Sequence, residues 1–372
     1  MNNLVLYRKY RPQKFSEIIG QEHIVKTLTN AILSGIISHA YLFSGPRGSG
    51  KTTIARLLAK SLNCQNRKDK EFEPCNKCSS CLEITENKSM DLIEIDAASH
   101  RGIDEMKELI EGIKFAPTKS KYKVFIIDES HQLTKEAANA LLKTLEEPPS
   151  HAIFILATTE IHKMIPTIIS RCQRFDFRKL TLPEIVKRLE ITSKKEKAKI
   201  EKPALEIIAQ NSGGSLRDAE SLLGEVLTFE GQEQEIKAKD IKDLLGLVEI
   251  NLVSQFCDYL SEKKADKAIN FLNEIAEKGS DLQEFAKALV NYLRQGLILK
   301  IMGPDSDSAN PIVAGLTKEE TEKLQKQADS FKEDELHKMI ELFLDAENKM
   351  KYSSILQLPL ELAIIDAVGP KD

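Results

Sequence analysis

The clearest chemistry in the sequence lies in FSGPRGSGKTT, from Phe43 to Thr53. Gly45, Gly50, Lys51 and Thr52 fill the pattern G-x-x-x-x-G-K-[ST], with Gly48 inside it. Small residues there let backbone N–H groups converge on phosphate oxygens, and the N-terminus of a following helix adds a favourable dipole. The candidate nucleotide cradle is therefore Gly45, Pro46, Arg47, Gly48, Ser49 and Gly50, followed by Lys51, Thr52 and Thr53. Lys51 is placed to bridge β- and γ-phosphates, and the Thr52 hydroxyl to ligate Mg²⁺.

Two further stretches suit hydrolysis. KVFIIDESH, Lys123 to His131, reads as a buried strand ending in paired acids. Asp128 would share the Mg²⁺ shell with Thr52, and Glu129 would orient or deprotonate an attacking water. AIFILATT, Ala152 to Thr159, is the next apolar run. Thr159 at its end is a candidate to sense γ-phosphate or water, with Thr158 the less favoured neighbour.

Cys64, Cys75, Cys78 and Cys81 form a separate cluster, spaced C-x10-C-x2-C-x2-C. Four thiolates can close a tetrahedral shell, and the two-residue spacings bring neighbouring sulfurs to one ion, so a structural zinc site is expected. Cys172 and Cys257 are isolated and read as buried small hydrophobes.

These residues need a scaffold. Apolar Ile24, Val25, Leu28, Ile32 and Leu33 predict a helix ending near Gly35, ahead of the strand Ala40 to Phe43. A helix follows from Thr53 to Leu62. DLIEID at Asp91 to Asp96 resumes strand-like text after the cysteines, and Ile103, Met106, Leu109, Ile110 and Ile113 recur at helical spacing. Lys135 to Leu145 reads as helix, and Ser170-Arg171-Cys172 ends a short helical run before the strand-like RFDF. Alternation of strands and helices from His39 to Phe177 predicts an α/β fold, a parallel sheet covered on both faces. From Thr181 the period changes to helices at Leu182–Ile191, Pro203–Gln210 and Leu216–Leu227. Further helices are expected at Leu252–Leu260, Ala265–Glu277, Leu282–Ile301 and Glu333–Met350, with a loop at Met302–Pro311. The expected domains are 1–178 for nucleotide binding, with the zinc module at about 64–88, 179–243 as a helical lid, and 244–372 as an all-α assembly domain.

Composition narrows the class. At 41% hydrophobic and 30% charged, 372 residues suit a globular chain of two or three domains. No apolar stretch reaches bilayer-spanning length, and MNNLVLYRKYRP lacks the apolar core of a secretion signal, so a cytoplasmic protein without membrane partners is expected. The formal net charge of −4 does not by itself indicate nucleic-acid binding. Ser99-His100-Arg101, just before the helix starting near Ile103, is the candidate local DNA contact, offering N–H groups and one cation to a template phosphate.

Taken together, the chain resembles the gamma/tau family of bacterial DNA polymerase III, motor subunits of AAA+ sliding-clamp loaders. The resemblance rests on YRKYRPQKFSEIIGQEHI, HAYLFSGPRGSGKTTIARLLAKSLNC, the four-cysteine insertion, VFIIDESHQLTKEAANALLKTLEEPP, FILATTE, SRCQRF and GGSLRDAESLL. It implies that Thr159 is the sensor 1 residue and Arg217 the sensor 2 residue acting in cis. It implies that Arg171 is an arginine finger completing a neighbour's ATP site. Tyr7, Arg11 and Pro12 match the adenine-side lining. It further implies an ATPase within the DNA polymerase III holoenzyme, held in a pentamer with other clamp-loader subunits through the C-terminal collar. Such a pentamer opens the sliding clamp and places it on primed template DNA. Tau-type relatives carry a long extension toward helicase and polymerase beyond the position of Asp372. Two other classes share parts of this text: a stand-alone helicase-like remodelling ATPase, and a non-hydrolysing scaffold subunit of the same loader. The collar-like tail without a second motor argues against the first, and the intact phosphate loop against the second.

Overall fold

The computed structural model describes residues 5–68, 70–99, 109–230, 235–244, 250–303 and 318–369. They form two compact units. The first comprises the described residues of Met1–Lys199 with Ile208–Glu235, the second those of Ile200–Ile207 with Ile236–Asp372.

The first unit is built on five strands: β1 (Ala40–Ser44), β2 (Leu92–Asp96), β3 (Lys123–Asp128), β4 (Ala152–Thr158) and β5 (Gln173–Asp176). Their order is β2-β3-β4-β1-β5 and every pairing is parallel. A sheet covered on both faces needs near-continuous apolar strands, and β1 and β4 are buried throughout. Successive side chains still part to opposite faces. Tyr41 and Phe43 pack with α2 (Glu22–Ser34) and α3 (Lys51–Leu62), alongside Phe175 and Phe177. Ala40 and Leu42 face the other layer, where a later helix, Lys135–Glu146, contributes Ala137, Leu141 and Leu145, and Phe125 stacks on Phe154 at 5.4 Å. The expected α/β architecture with a covered parallel sheet is the one observed.

This topology decides where the chemistry sits. All five strands run the same way, so their carboxyl ends share one edge, where ligands of such sheets bind. Register places Ser44 beside Thr158, and Asp96 beside Asp128. The phosphate loop after β1, the acids ending β3 and the threonines ending β4 therefore emerge together.

The cysteine segment lies between α3 and β2 and contains α4 (Ser79–Thr85). The helix Lys135–Glu146 is α5, and α6 (Pro166–Ile169) carries the chain into β5. The helices from the region expected to form a lid are, in this unit, α7 (Leu182–Glu196) and, after α8 (Lys202–Asn211), α9 (Leu216–Glu230). A short N-terminal helix, α1 (Leu6–Lys9), packs on α9.

After α10 (Ala238–Leu244), the second unit is helical: α11 (Ile250–Ser261), α12 (Ala265–Glu277), α13 (Leu282–Met302), α14 (Lys318–Ser330), α15 (Glu333–Met350) and α16 (Leu358–Val368). Its core centres on Phe256, which meets Phe285 and Phe343 edge-on. The buried Gln327 amide is satisfied by donating to the Ser254 carbonyl at 2.9 Å and accepting from the Tyr292 hydroxyl at 2.6 Å. Among the described residues, no helix is long and apolar enough to cross a membrane.

Candidate nucleotide site and four-cysteine centre

Three glycines allow the loop between β1 and α3 to fold. Gly45, Gly48 and Gly50 have φ of 149°, 74° and 100°, a region L-residues disfavour. At two of them space is also absent: a Cβ on Gly45 would meet the Phe177 carbonyl oxygen at 2.4 Å, and one on Gly48 would meet Ser215 Oγ at 2.0 Å. The second contact brings the turn before α9 directly onto the phosphate loop.

Lys51 is the first residue of α3, and 5% of it is exposed. Its Nζ donates to the carbonyls of Gly45 at 2.7 Å and Pro46 at 2.9 Å. Burial pushes its pKa down, while Glu129 and Asp128 pull it up. Ser49 donates its hydroxyl to the Pro46 carbonyl at 2.8 Å, Arg47 is exposed, and Thr53 is half-buried in the first helical turn. The first N–H groups of α3 have no carbonyl within the helix to serve, so the loop presents donors suited to an anion.

The carboxyl-end residues meet as their register requires. Thr52 Oγ1 donates to Asp128 Oδ2 at 2.7 Å, an all-oxygen pair suited to Mg²⁺. Glu129 adopts a left-handed conformation, φ 46°. Its Oε2 accepts the Thr159 hydroxyl at 2.8 Å and the Thr159 N–H at 3.3 Å. Thr158 is instead buried, its hydroxyl 2.9 Å from His131 Nδ1 and accepting from the Glu160 N–H at 3.0 Å. His131 also lies 3.4 Å from both Glu129 Oε2 and Glu160 Oε1. Sequence reasoning missed His131 as a neighbour of Glu129, although it stands in the quoted DESH text. It also missed Gln21, whose amide donates to the carbonyls of Ser49 and Arg178 and so braces the loop.

The two arginines differ in setting. Arg217 lies on α9 with its guanidinium 4.7 Å from the Tyr7 ring centre and its Nη2 donating to the Tyr7 hydroxyl at 3.4 Å. That hydrogen bond is the main influence holding the Tyr7 pKa below its usual value. Arg171 follows α6, where Nη2 donates to Glu146 Oε1 at 2.5 Å and Nη1 to the Thr167 carbonyl at 2.8 Å. Among the described residues, its hydrogen bonds go to Glu146, Thr167 and Ser170. Arg11 and Pro12 are half-buried, and burial, with Arg56 nearby, pushes the Arg11 pKa down. Of the suggested DNA contact, His100 and Arg101 lie outside the described residues, as do Ile103 and Met106. Ser99 donates its hydroxyl to Asp96 Oδ2 at 3.0 Å.

The sulfurs of Cys64, Cys75, Cys78 and Cys81 all lie within 4.8 Å of one another. Backbone N–H groups of Lys77 and Cys78 donate to Cys75 Sγ at 3.4 and 3.3 Å, and that of Cys75 to Cys64 Sγ at 3.3 Å. Burial opposes ionisation of Cys75, yet the Lys77 and Cys78 N–H groups, with the neighbouring Cys64 and Cys78 side chains, lower its pKa to about 6. Four converging sulfurs with N–H donors around them fit a structural zinc ion. Cys257 is fully buried and Cys172 half-buried; burial raises both pKa values, that of Cys172 to about 12.

Comparison with known proteins covers nearly the whole chain. Family models match in succession: "DNA polymerase III, delta subunit" over residues 20–181, "DNA polymerase III clamp loader subunit, ATPase lid domain" over 184–232, and "DNA polymerase III subunits gamma and tau domain III" over 236–372. DNA polymerase III subunit gamma of Buchnera aphidicola from Acyrthosiphon pisum is 36% identical across 99% of both chains. The chain belongs to the DNA polymerase III gamma/tau family. Subunit tau of Bacillus subtilis is 42% identical over 98% of this chain, which spans 63% of that protein's length. For subunit tau of Escherichia coli the identity is 38%, over 79% of this chain and 45% of that protein. A solved Bacillus subtilis DNA clamp loader delta protein aligns over 92% of this chain and 99% of its own, at 17% identity and a TM-score of 0.39. Placement within the gamma/tau family rests on the sequence matches.

Proposed function

We propose that this gamma/tau-family chain is an ATP-hydrolysing motor subunit of a bacterial sliding-clamp loader, acting in the cytoplasm as part of the DNA polymerase III holoenzyme. ATP binding and hydrolysis would drive placement of the clamp on primed template DNA. The observation that carries the reading is the meeting of Lys51, Thr52, Asp128, Glu129 and Thr159 at one sheet edge in a chain of this family.

The residue roles follow from that setting. The loop Gly45–Gly50 and the start of α3, with Lys51, Thr52 and Thr53, hold the phosphates. Thr52 and Asp128 would hold Mg²⁺, which neutralises charge on the phosphates. Glu129 orients or deprotonates water, Thr159 governs where the Glu129 carboxylate points, and Tyr7, Arg11 and Pro12 line the adenine side. Arg217 reads the γ-phosphate from the lid of the same chain. Arg171, directed to Glu146 rather than to its own phosphate loop, serves the site of a neighbouring subunit. Cys64, Cys75, Cys78 and Cys81 would hold a structural zinc ion. The domain division is 1–178, 179–243 and 244–372, the last joining companion subunits in a pentamer.

The test is ATP turnover by the chain with companion subunits, with clamp and primed DNA added separately and together. Turnover rising most when both are present is expected. Nucleotide binding without turnover under every condition would contradict the motor reading and leave a scaffold subunit; strand separation by the isolated chain would instead mark a helicase.

A further inference from the structure

We propose that the four-cysteine module anchors the N-terminal arm, so that its metal occupancy sets nucleotide affinity through that arm. The inference rests on the nucleotide reading above.

In the N-terminal arm, which runs from Tyr7 to Ser16, residues Arg11 to Lys14 lack helix or strand before a single turn at Phe15–Glu17, so the backbone here needs partners outside regular structure. The module supplies them. Glu73 receives the Phe15 N–H on Oε2 at 2.9 Å and the Ser16 N–H on Oε1 at 2.8 Å. Asn76 Nδ2 donates to the Gln13 carbonyl at 3.1 Å, and Phe15, 1% exposed, meets Phe72 edge-on. Lys60, on the phosphate-loop helix, donates to Gln13 Oε1 at 2.6 Å and to Thr85 Oγ1 on α4 at 2.7 Å.

Phe72, Glu73 and Asn76 all lie between Cys64 and Cys78, in chain whose closure depends on the sulfurs meeting. At the arm's other end, Tyr7 lies against Arg217, and the Tyr10 carbonyl accepts from Arg188 Nη2. Arg188 is itself fixed by a buried ion pair with Glu220 at 2.9 Å. The arm is thus a strap with one end on the cysteine module and the other on the lid helices, and the proposed adenine-side residues Tyr7, Arg11 and Pro12 lie along it. Glu73, Asn76 and Gln13 are positioning residues. Releasing them lets the strap leave its docked state, and apparent affinity falls in proportion to the docked fraction.

Three readouts on the full chain test this: zinc per chain, backbone hydrogen exchange at residues 13–18, and equilibrium binding of ADP. Glu73→Ala is expected to keep one zinc per chain, speed exchange at residues 13–18 and raise the ADP Kd about tenfold, as a strap docked about a tenth of the time would give. Removing zinc from the unsubstituted chain with a chelator should do the same, whereas chelating Glu73→Ala should add little. If chelation unfolds the chain, control by metal occupancy is overturned, and Glu73→Ala and Asn76→Ala, both with metal retained, decide whether the module anchors the arm. ADP affinity and exchange that ignore the substitutions overturn the strap. No ADP binding by the unsubstituted chain overturns the nucleotide reading instead.

Discussion

Glu129 shows how one residue carries the hydrolytic reading. Its left-handed backbone follows directly from β3, and its carboxylate rests on Thr159, the first residue after β4. In the proposed role, a Glu129 base held by the Thr159 hydroxyl would be freed toward water when that hydroxyl took another partner, as a residue sensitive to bound phosphate would. Glu129→Gln should therefore bind ATP within about twofold of the unsubstituted chain while turnover falls about 10²–10⁴-fold, the usual contribution of a positioned general base. Equilibrium binding and single-turnover hydrolysis separate the two quantities, and equal loss of both would contradict the assignment. That Lys51, Thr52, Asp128 and Glu129 share one sheet edge and that the four cysteines converge was legible in the sequence, because short spacings mark these residues. The Arg188–Glu220 pair and the grip of Glu73 on the arm were not, since the partners lie 32 and 58 residues apart and neither carries a local pattern.

At the scale of elements, junctions are held by specific polar contacts. At the start of α7, Glu184 receives the Thr181 N–H at 2.8 Å and both guanidinium nitrogens of Arg178 at 2.8 and 2.6 Å. Arg178 chiefly holds its pKa down at about 2, so folding favours the ionised carboxylate. That contribution is complete above the ordinary carboxylate pKa of about 4.3 and disappears as pH falls through about 2. Glu184→Gln should cost up to about 1 kcal/mol at neutral pH, the scale of a helix cap with a partly exposed ion pair. Thermal midpoints across pH check this: a gap to the unsubstituted chain that persists below about pH 2 would contradict it. Helix legibility followed pattern strength. Ala265–Glu277 and Glu333–Met350 have the bounds their apolar stripes predict. The helices Lys318–Ser330 and Leu358–Val368 were not delimited in the sequence reading, because KEETEKLQKQADS has few apolar residues to mark a face and LPLELAIIDAV too many.

For the whole molecule, the parallel sheet fixes the edge where the candidate site residues of the first unit meet, and the described residues of the second unit are mainly helical with their own core. The formal net charge of −4 gives DNA no general attraction to this chain, so stimulation by primed DNA would have to come through local contacts within the assembly. The central claim is that each ATP site is divided between two subunits, with Arg171 serving a neighbour. Its most direct measurement is ATP turnover by the assembled complex in the presence of clamp and primed DNA, comparing unsubstituted and Arg171→Ala subunits. Arg171→Ala is expected to leave ATP binding nearly intact and to lower stimulated turnover by about 10³–10⁵-fold, the usual value of an arginine finger. Turnover unchanged, or ATP binding lost as fully as in Lys51→Ala, would contradict a shared site.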